Sequence, residues 1–184
     1  VTVTRLVNQF TADKVYVCSE NDDVTLRAEA VPYGAGTWSL EKGVGSFDNM
    51  NDPSTNLNII SSSGEETIIK WTIDFTTKDQ HCHNETSLAV KNYHVKAVAD
   101  PVEADVCDDS FDRLRGQLPS PQTAPTTVGW WTRTSQTQHL VDAADFKPTG
   151  LQSGRNEFTW HVKRGVCEDA TNVVINYNKV TTPN

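Results

Sequence analysis

The feature that most restricts the fold of this sequence is a set of landmarks that occurs twice in the same order. Each copy contains a cysteine, a Gly-x-Trp segment, a second tryptophan and a second cysteine. The two sets are Cys18, Gly36, Trp38, Trp71 and Cys82, and then Cys107, Gly129, Trp131, Trp160 and Cys167. The tryptophans are 33 and 29 residues apart, and the cysteines 64 and 60. Such repetition predicts two domains of one fold with loops of different length.

The segments around the second tryptophan of each copy predict β-strands. Apolar side chains occupy every odd position of residues 69–75, and residues 158–163 show the same kind of alternation. A period of two places one face of a strand against a core and the other in solvent. Composition agrees, because 22 Thr and 20 Val against 9 Leu and 1 Met favour strands. We therefore predict an all-β chain of two β-sandwiches. Their predicted core tryptophans are Trp38, Trp71, Trp131 and Trp160.

The predicted domain boundary lies between residues 99 and 100, where Pro101 is expected to end strand pairing. The first domain then comprises residues 1–99 and the second residues 100–184. Residues 1–17 have the character of a linker or of the end of a preceding copy. We therefore expect the sequence to be a piece of a longer repeat array.

The four cysteines predict two disulfides, Cys18–Cys82 and Cys107–Cys167, each joining the start of a copy to its last hairpin. Closing a loop of that size contributes roughly 4 kcal/mol in the chain-entropy description. The alternative is a metal-binding pattern in His81-Cys82-His83, which has no counterpart around Cys167. Disulfides would indicate an oxidising, extracytoplasmic location.

Charge and motifs exclude several classes of function. The chain has 16 Lys+Arg against 24 Asp+Glu, a net charge of −8, so we expect it to bind neither nucleic acid nor anionic lipid. It contains neither a run of 18 apolar residues nor a signal-peptide pattern, so no membrane insertion is expected. Neither a Gly-x-Ser-x-Gly nor a His-Glu-x-x-His motif occurs, although a pair of catalytic carboxylates would leave no such motif. We predict a protein that is not an enzyme and needs no cofactor.

Several motifs resemble a known repeat family. They are Gly36-Thr37-Trp38-Ser39, the turn Gly43-Val44-Gly45, Asn51-Asp52-Pro53, and residues 151–162 followed by Gly165-Val166-Cys167. Together they resemble the PKD-like, immunoglobulin-like repeats of large Bacteroidota cell-surface proteins exported by the type 9 secretion system, which include the SprB-type gliding adhesins. The first copy lacks the Gly-x-Asn-x-Phe approach to its strand. The second has Trp130 where Thr is usual and lacks the Gly-x-Gly turn.

Two further features suggest binding sites. Acidic residues cluster near the boundary and would suit Ca²⁺, which prefers six to eight oxygen ligands; a solvated acidic linker is the alternative. The candidate ligands are Asp100, Glu103, Asp105, Asp108 and Asp109. Separately, alternation turns Trp130 to the outer face if Trp131 is in the core. An outward tryptophan suits contact with a sugar or a protein, unless a loop or a neighbouring domain covers it.

The resemblance implies a non-catalytic segment of an extracellular, cell-surface protein that acts in adhesion or as a filament spacer. Its expected partners are neighbouring repeats, further copies in an oligomer or filament, and surface polysaccharide or another cell-surface ligand. The alternative is a carbohydrate-binding accessory module of a secreted enzyme. That alternative predicts a row of exposed aromatic side chains, for which Trp130 and Tyr33 are the candidates.

Overall fold

The computed structural model describes residues 8–30, 35–76, 78, 81–120, 125–134 and 138–179. The chain divides into two compact units, Val1–His94 and Val95–Asn184. Every regular element in the described residues is a β-strand. No helix there is long and apolar enough to cross a membrane.

The first unit contains two four-stranded sheets. Its strands are β1 (Phe10–Ala12), β2 (Tyr16–Val17), β3 (Asn21–Ala28), β4 (Ala35–Lys42), β5 (Gly45–Phe47), β6 (Ser54–Ile60), β7 (Glu66–Thr76) and β8 (His81–Asn92). One sheet has the order β1-β3-β6-β5 and is antiparallel throughout. The other has the order β2-β8-β7-β4, in which β2 runs parallel to β8. Buried side chains from both sheets form one core, as the alternation along β7 predicts.

The second unit repeats this plan with a different division of strands. Its strands are β9 (Val98–Asp100), β10 (Glu103–Val106), β11 (Leu114–Gln117), β12 (Val128–Arg133), β13 (Gln138–Val141), β14 (Asp145–Phe146), β15 (Gly154–Arg164) and β16 (Cys167–Tyr177). A three-stranded sheet has the order β14-β11-β9. A five-stranded sheet has the order β10-β16-β15-β12-β13, with β10 parallel to β16.

The strand orders define both units as immunoglobulin-like β-sandwiches. In each unit the chain moves between the sheets in the Greek-key manner, and the final hairpin lies in the sheet that also contains the first Trp-bearing strand. The short parallel strand beside the last strand is likewise common to both units. The predicted fold class, two tandem immunoglobulin-like sandwiches, is therefore confirmed.

The two predicted tryptophans of each repeat lie opposite each other on adjacent strands. Trp38 pairs with Trp71 across β4 and β7, and Trp131 pairs with Trp160 across β12 and β15. All four side chains are fully buried. Their ring centroids are 4.5 Å apart in the first unit and 5.2 Å apart in the second. The repeat recognised in the sequence is thus a repeated pair of indole rings at the centre of each core.

The glycine two residues before the first tryptophan makes room for the second one. A Cβ atom on Gly36 would lie 2.0 Å from a ring carbon of Trp71, and one on Gly129 would lie 2.4 Å from a ring carbon of Trp160. Neither ring has space to move away, because both are fully buried. The Gly-x-Trp motif is therefore explained by packing, because only glycine leaves room for the ring of the second tryptophan.

The boundary between the units lies five residues before the predicted one, since the second unit begins at Val95 rather than at residue 100. The reason is that β9 pairs with β11, so that Ala99 lies opposite Gly116. The side chains of Val95, Ala97 and Ala99 are buried in the second core. The segment before Pro101 therefore belongs to the second sandwich.

The predicted disulfide pairs are wrong. Cys82 and Cys107 have free thiols, whereas Cys18 and Cys167 are disulfide-bonded. Within the first unit, Cys18 directly follows Val17, which lies opposite Asn92 at the end of β8. Cys82 is near the start of that strand. Ten residues of extended strand span about 33 Å, whereas disulfide-bonded Cα atoms lie within about 7 Å of each other.

The same geometry separates the cysteines of the second unit. Cys107 directly follows Val106, which lies opposite Tyr177 at the end of β16, and Cys167 is the first residue of β16. In both units the first cysteine is therefore a full strand length from the hairpin that carries the second one. The sequence interpretation placed them together because it did not include the parallel pairing of β2 with β8 and of β10 with β16.

We predict that Gly129→Ala destabilises the second unit by about 3 kcal/mol, because overpacking a rigid core has that order of cost. Chemical denaturation followed by tryptophan fluorescence measures the change. Thr126→Ala, an exposed substitution in the segment before β12, should stay within about 0.5 kcal/mol of the parent. A Gly129→Ala protein as stable as this control would contradict the packing role of the glycine.

A second prediction concerns the thiols. Alkylation with N-ethylmaleimide under denaturing, non-reducing conditions should add two labels to each chain, because Cys82 and Cys107 are free. Cys107→Ser should reduce the number to one. Intact-mass spectrometry counts the labels. The two disulfides within the repeats would instead give no label in the parent chain and one label in Cys107→Ser.

Candidate contact site

The outer face of the five-stranded sheet is built by alternation along β15. The even-numbered side chains of this strand are buried: Asn156, Phe158, Trp160, Val162 and Arg164. The odd-numbered side chains therefore project from the opposite side of the sheet. These are Arg155, Glu157, Thr159, His161 and Lys163.

Trp130 is on this outer face, next to the buried Trp131, as the alternation predicts. It lies directly opposite His161, and the two rings are nearly parallel, with an interplanar angle of 3° and centroids 5.0 Å apart. His161 covers one face of the indole, and Trp130 is half-buried as a result. The sheet thus carries a stacked aromatic pair that is partly exposed to solvent.

The neighbours of His161 hold its ring in place. Thr132 Oγ1 and His161 Nε2 are 3.0 Å apart and share a hydrogen bond. On the other side of the ring, Nδ1 lies 3.8 Å from a carboxylate oxygen of Glu168 on β16. Lys163 lies 3.9 Å from the second oxygen of the same carboxylate. These contacts with β12 and β16 orient the imidazole against Trp130 without a dedicated loop.

Polar groups continue this surface along the strands. The Thr134 and Thr159 hydroxyls are 2.7 Å apart, and the Thr159 hydroxyl donates to the Asn172 side-chain oxygen at 2.9 Å. Val128 precedes Trp130 by two residues on the same face, and its side chain is 52% exposed. We call this face, from Val128 and Trp130 to Arg155, the contact face.

The corresponding positions of the first unit carry different residues. The register that aligns Trp38 with Trp131 and Trp71 with Trp160 aligns Thr37 with Trp130 and Thr72 with His161. Thr37 and Thr72 also lie opposite each other in their sheet. Two threonines therefore suffice for the fold at these positions, and the Trp–His pair is a specific property of the second unit.

The carboxylates predicted to bind calcium are not brought together. Glu103 and Asp105 accept hydrogen bonds from Asn176 and Asn178 at 3.0 and 3.3 Å. Asp100 ends β9, and Asp108 and Asp109 follow β10. In the part of the chain that the structure describes, no three His, Cys, Asp or Glu side chains form a group suited to a metal ion. The acidic residues are spread over two strands and the segment after β10, so this calcium site has no geometric support.

The His81-Cys82-His83 pattern forms a charged cluster, without a contribution from the cysteine. Alternation turns Cys82 to the face opposite the two histidines. His83 Nδ1 lies 2.7 Å from Asp74 Oδ1, and His83 Nε2 lies 3.1 Å from Glu85 Oε1. The hydrogen bond to Asp74 contributes most to raising the pKa of His83 above its usual 6.5, and the hydrogen bond to Glu85 contributes next. The pKa of Glu85 is lowered, mainly by a hydrogen bond from Lys70 and to a smaller extent by the one from His83.

Sequence reasoning found Trp130 but missed its partner. The alternation of residues 158–163 turns His161 to the solvent-facing side of its strand, yet its position opposite Trp130 depends on the register of β12 against β15. Placing the two core tryptophans side by side would have supplied that register. Tyr33, the other aromatic candidate for carbohydrate contact, lies outside the described residues.

Neither a protein-family model nor a curated protein sequence matches this chain. Solved structures similar to it include the Sidekick-1 immunoglobulin domains 1–5, with 16% identity and a TM-score of 0.35 over 94% of this chain and 40% of that one. The fibronectin(III)-like modules of Clostridium thermocellum CbhA show 8% identity and a TM-score of 0.40, covering 93% of this chain and 95% of theirs.

The four N-terminal immunoglobulin domains of Dscam1 isoform 8.4 are similar at 9% identity, with a TM-score of 0.42 over 96% of this chain and 46% of that one. This chain thus spans less than half of the Sidekick-1 and Dscam1 structures. The assignment to the immunoglobulin-like class rests on the strand order of the chain itself.

We predict that the pKa of His83 falls towards 6.5 in Asp74→Asn, because the largest interaction that raises it is lost. A raised pKa means that the protonated imidazole stabilises the fold. This stabilisation is complete below the unfolded pKa of about 6.5 and is lost as the pH rises through the folded pKa. NMR titration of the imidazole measures the shift. Asp48→Asn, a change at a carboxylate that does not contact His83, serves as control. An equal pKa in both variants would contradict the assigned contact.

Proposed function

We propose that this chain is a non-catalytic segment of an extracellular repeat protein that acts in cell-surface adhesion through the contact face of its second unit. The observation that carries the proposal is the Trp130–His161 pair. The fold does not require it, since Thr37 and Thr72 occupy the same positions in the first unit. A partly open aromatic pair on a sheet face is a common element of binding sites.

The cellular location is inferred from the cysteines and from the resemblance. Cys18 and Cys167 are disulfide-bonded, and such bonds persist mainly in oxidising compartments. The resemblance to PKD-like repeats of Bacteroidota cell-surface proteins supports a place in a large polypeptide exported by the type 9 secretion system. In such a polypeptide, this segment presents the contact face outside the cell.

A second candidate function is a carbohydrate-binding accessory module of a secreted enzyme. The polar groups of Thr134 and Asn172 beside the aromatic pair favour it, because both side chains reach solvent and hydroxyl and amide groups suit sugar recognition. The buried Thr159 hydroxyl lies between them and is hydrogen-bonded to both. The parent polypeptide distinguishes the two candidates. Antibodies against this chain should label intact cells and detect a very large, protease-accessible protein if it is an adhesin. A small secreted polypeptide would favour the accessory module.

The test replaces the Trp–His pair with the residues of the first unit. We predict that beads coated with Trp130→Thr/His161→Thr attach to cells of the source organism at least tenfold less than beads coated with the parent chain, because the aromatic surface is lost. The variant should unfold cooperatively, since a pair of threonines is compatible with this sheet in the first unit. Bead counts under gentle flow measure attachment.

Val166→Ala is the matched control, because it removes an exposed apolar side chain of the second unit from the turn between β15 and β16. It should leave attachment unchanged. If the double variant attaches as well as this control while remaining folded, the contact face does not mediate adhesion and the proposal fails.

A further inference from the structure

The contact face ends in a cavity with two arginines. Arg133, Gln152, Arg155, Asn156 and Glu157 line a space of about 220 Å³ at the Gly154 end of β15. The lining carries two guanidinium groups and one carboxylate, an excess of one positive charge. This excess is notable because the whole chain has a net charge of −8. The cavity therefore differs in sign from the chain as a whole.

The two guanidinium groups retain hydrogen-bonding capacity. Arg155 Nε donates to Glu157 Oε1 at 2.7 Å, and its terminal nitrogens have no hydrogen-bond partner among the described residues. The Arg133 guanidinium carbon lies 5.2 Å from the centroid of the Phe158 ring, a cation–π distance. A guanidinium held by a ring face still presents its N–H edge, which is the group that binds carboxylate and sulfate oxygens.

The floor of the cavity is rigid before any ligand arrives. The buried Asn156 side chain accepts a hydrogen bond from the Gln152 backbone N–H at 2.9 Å and donates to the Gln152 carbonyl at 2.8 Å. It also donates to the carbonyl oxygens of Gly154 and Ile175 at 3.0 and 3.3 Å. These bonds fix the turn before β15 against β16. A preorganised site loses little entropy on binding.

Arg155, one of the two arginines of the cavity, lies on the same face of the sheet as the Trp–His pair, whereas Arg133 has the inward register of Trp131 and packs on Phe158. Both Arg155 and His161 are odd-numbered residues of β15, and six residues of strand separate them, which corresponds to about 20 Å. The hydroxyl and amide groups of Thr134, Thr159 and Asn172 lie between them. An aromatic ring, polar groups and the Arg155 guanidinium at the mouth of the cavity therefore follow one another along β15. This order matches a linear ligand that carries ring faces, hydroxyl groups and anionic substituents.

We infer that the contact face binds an acidic polysaccharide, with a carboxylate or sulfate in the Arg133–Arg155 cavity and a sugar ring against Trp130. This inference rests on the proposed function and gives the ligand a chemical class. A protein partner fits less well, because the exposed apolar surface of this face is confined to Val128 and part of Trp130. In the first unit, the positions of Arg133 and Arg155 carry Leu40 and Glu66, so the cationic cavity is also specific to the second unit.

The experiment compares two polymers that share a backbone. Polygalacturonate is anionic, and its methyl ester is neutral. The complete 184-residue chain should bind polygalacturonate at least tenfold more tightly than the ester in isothermal titration calorimetry at 0.15 M NaCl, because only the free carboxylate pairs with the arginines. Dextran sulfate and dextran form a second pair, which shows whether sulfate replaces carboxylate.

Variants locate the interaction. Arg155→Gln and Arg133→Gln should each weaken binding of the anionic polymer about tenfold, the loss of one charge-assisted hydrogen bond. Arg155→Lys should retain part of the affinity, because it keeps the charge and loses the fork geometry. Arg113→Gln is the matched control, since it removes an exposed arginine of the same unit that pairs with Asp145 outside the contact face. It should bind like the parent.

The outcomes separate the inference from the proposed function. Equal binding of the anionic and neutral polymers, or equal loss in Arg113→Gln and Arg155→Gln, overturns the acidic-ligand inference. If neither polymer pair binds while Trp130→Thr/His161→Thr still abolishes bead attachment, the adhesive role stands and the ligand is of another class, such as a protein. If the double variant also attaches normally, both proposals are wrong.

Discussion

The contact between two indole rings on adjacent strands is the interaction on which each unit depends. The Trp38–Trp71 and Trp131–Trp160 pairs lie between the two sheets, where each ring removes on the order of 200 Å² from solvent. In antibody domains a buried tryptophan packs against a disulfide between the sheets. Here the corresponding volume is filled by a second tryptophan, and the facing strands β3 and β11 contribute Leu26 and Leu114. Apolar packing between the two sheets therefore occupies the place that the intersheet disulfide has in antibody domains.

The same pair determines the geometry of the outer surface. Trp131 is locked in the core, and the residues before and after it along β12 have to project outward. Trp130 is therefore held against His161 by the strand that the core fixes, and Thr132 reaches the same imidazole from the next outward position. Arg133 comes next, at the edge of the core, where its guanidinium packs on Phe158. The contact face is thus as rigid as the sheet beneath it.

The core tryptophans could be predicted from the sequence, because the alternation along each strand and the order of the four tryptophans are not altered by differences in loop length. The outward direction of Trp130 followed from the same alternation. The disulfides could not be predicted in this way, since the position of Cys18 relative to Cys82 depends on a two-residue parallel strand with no periodicity of its own. The boundary depended similarly on β9, whose three residues are recognisable as part of the second unit only through their pairing with β11. The arginine cavity combines a strand end with a turn held by Asn156, a tertiary arrangement without a sequence motif.

Comparison of the two units separates what the fold requires from what it permits. The inward positions are conserved between them as Gly, Trp and Trp, because a side chain on the glycine would overlap the second ring. The outward positions differ in size and charge: Thr37 and Thr72 against Trp130 and His161, and Glu66 against Arg155. One inward position near the end of the strand also differs, with Leu40 in the first unit and Arg133 in the second. Each outward substitution leaves the adjacent inward residue in place, since neighbouring residues of a strand point to opposite sides. The outer side chains of such a unit can therefore change while the packing that holds the sandwich together stays constant. In the second unit, this independence of the two faces allows aromatic, hydroxyl and cationic groups to lie in one line on the outer face.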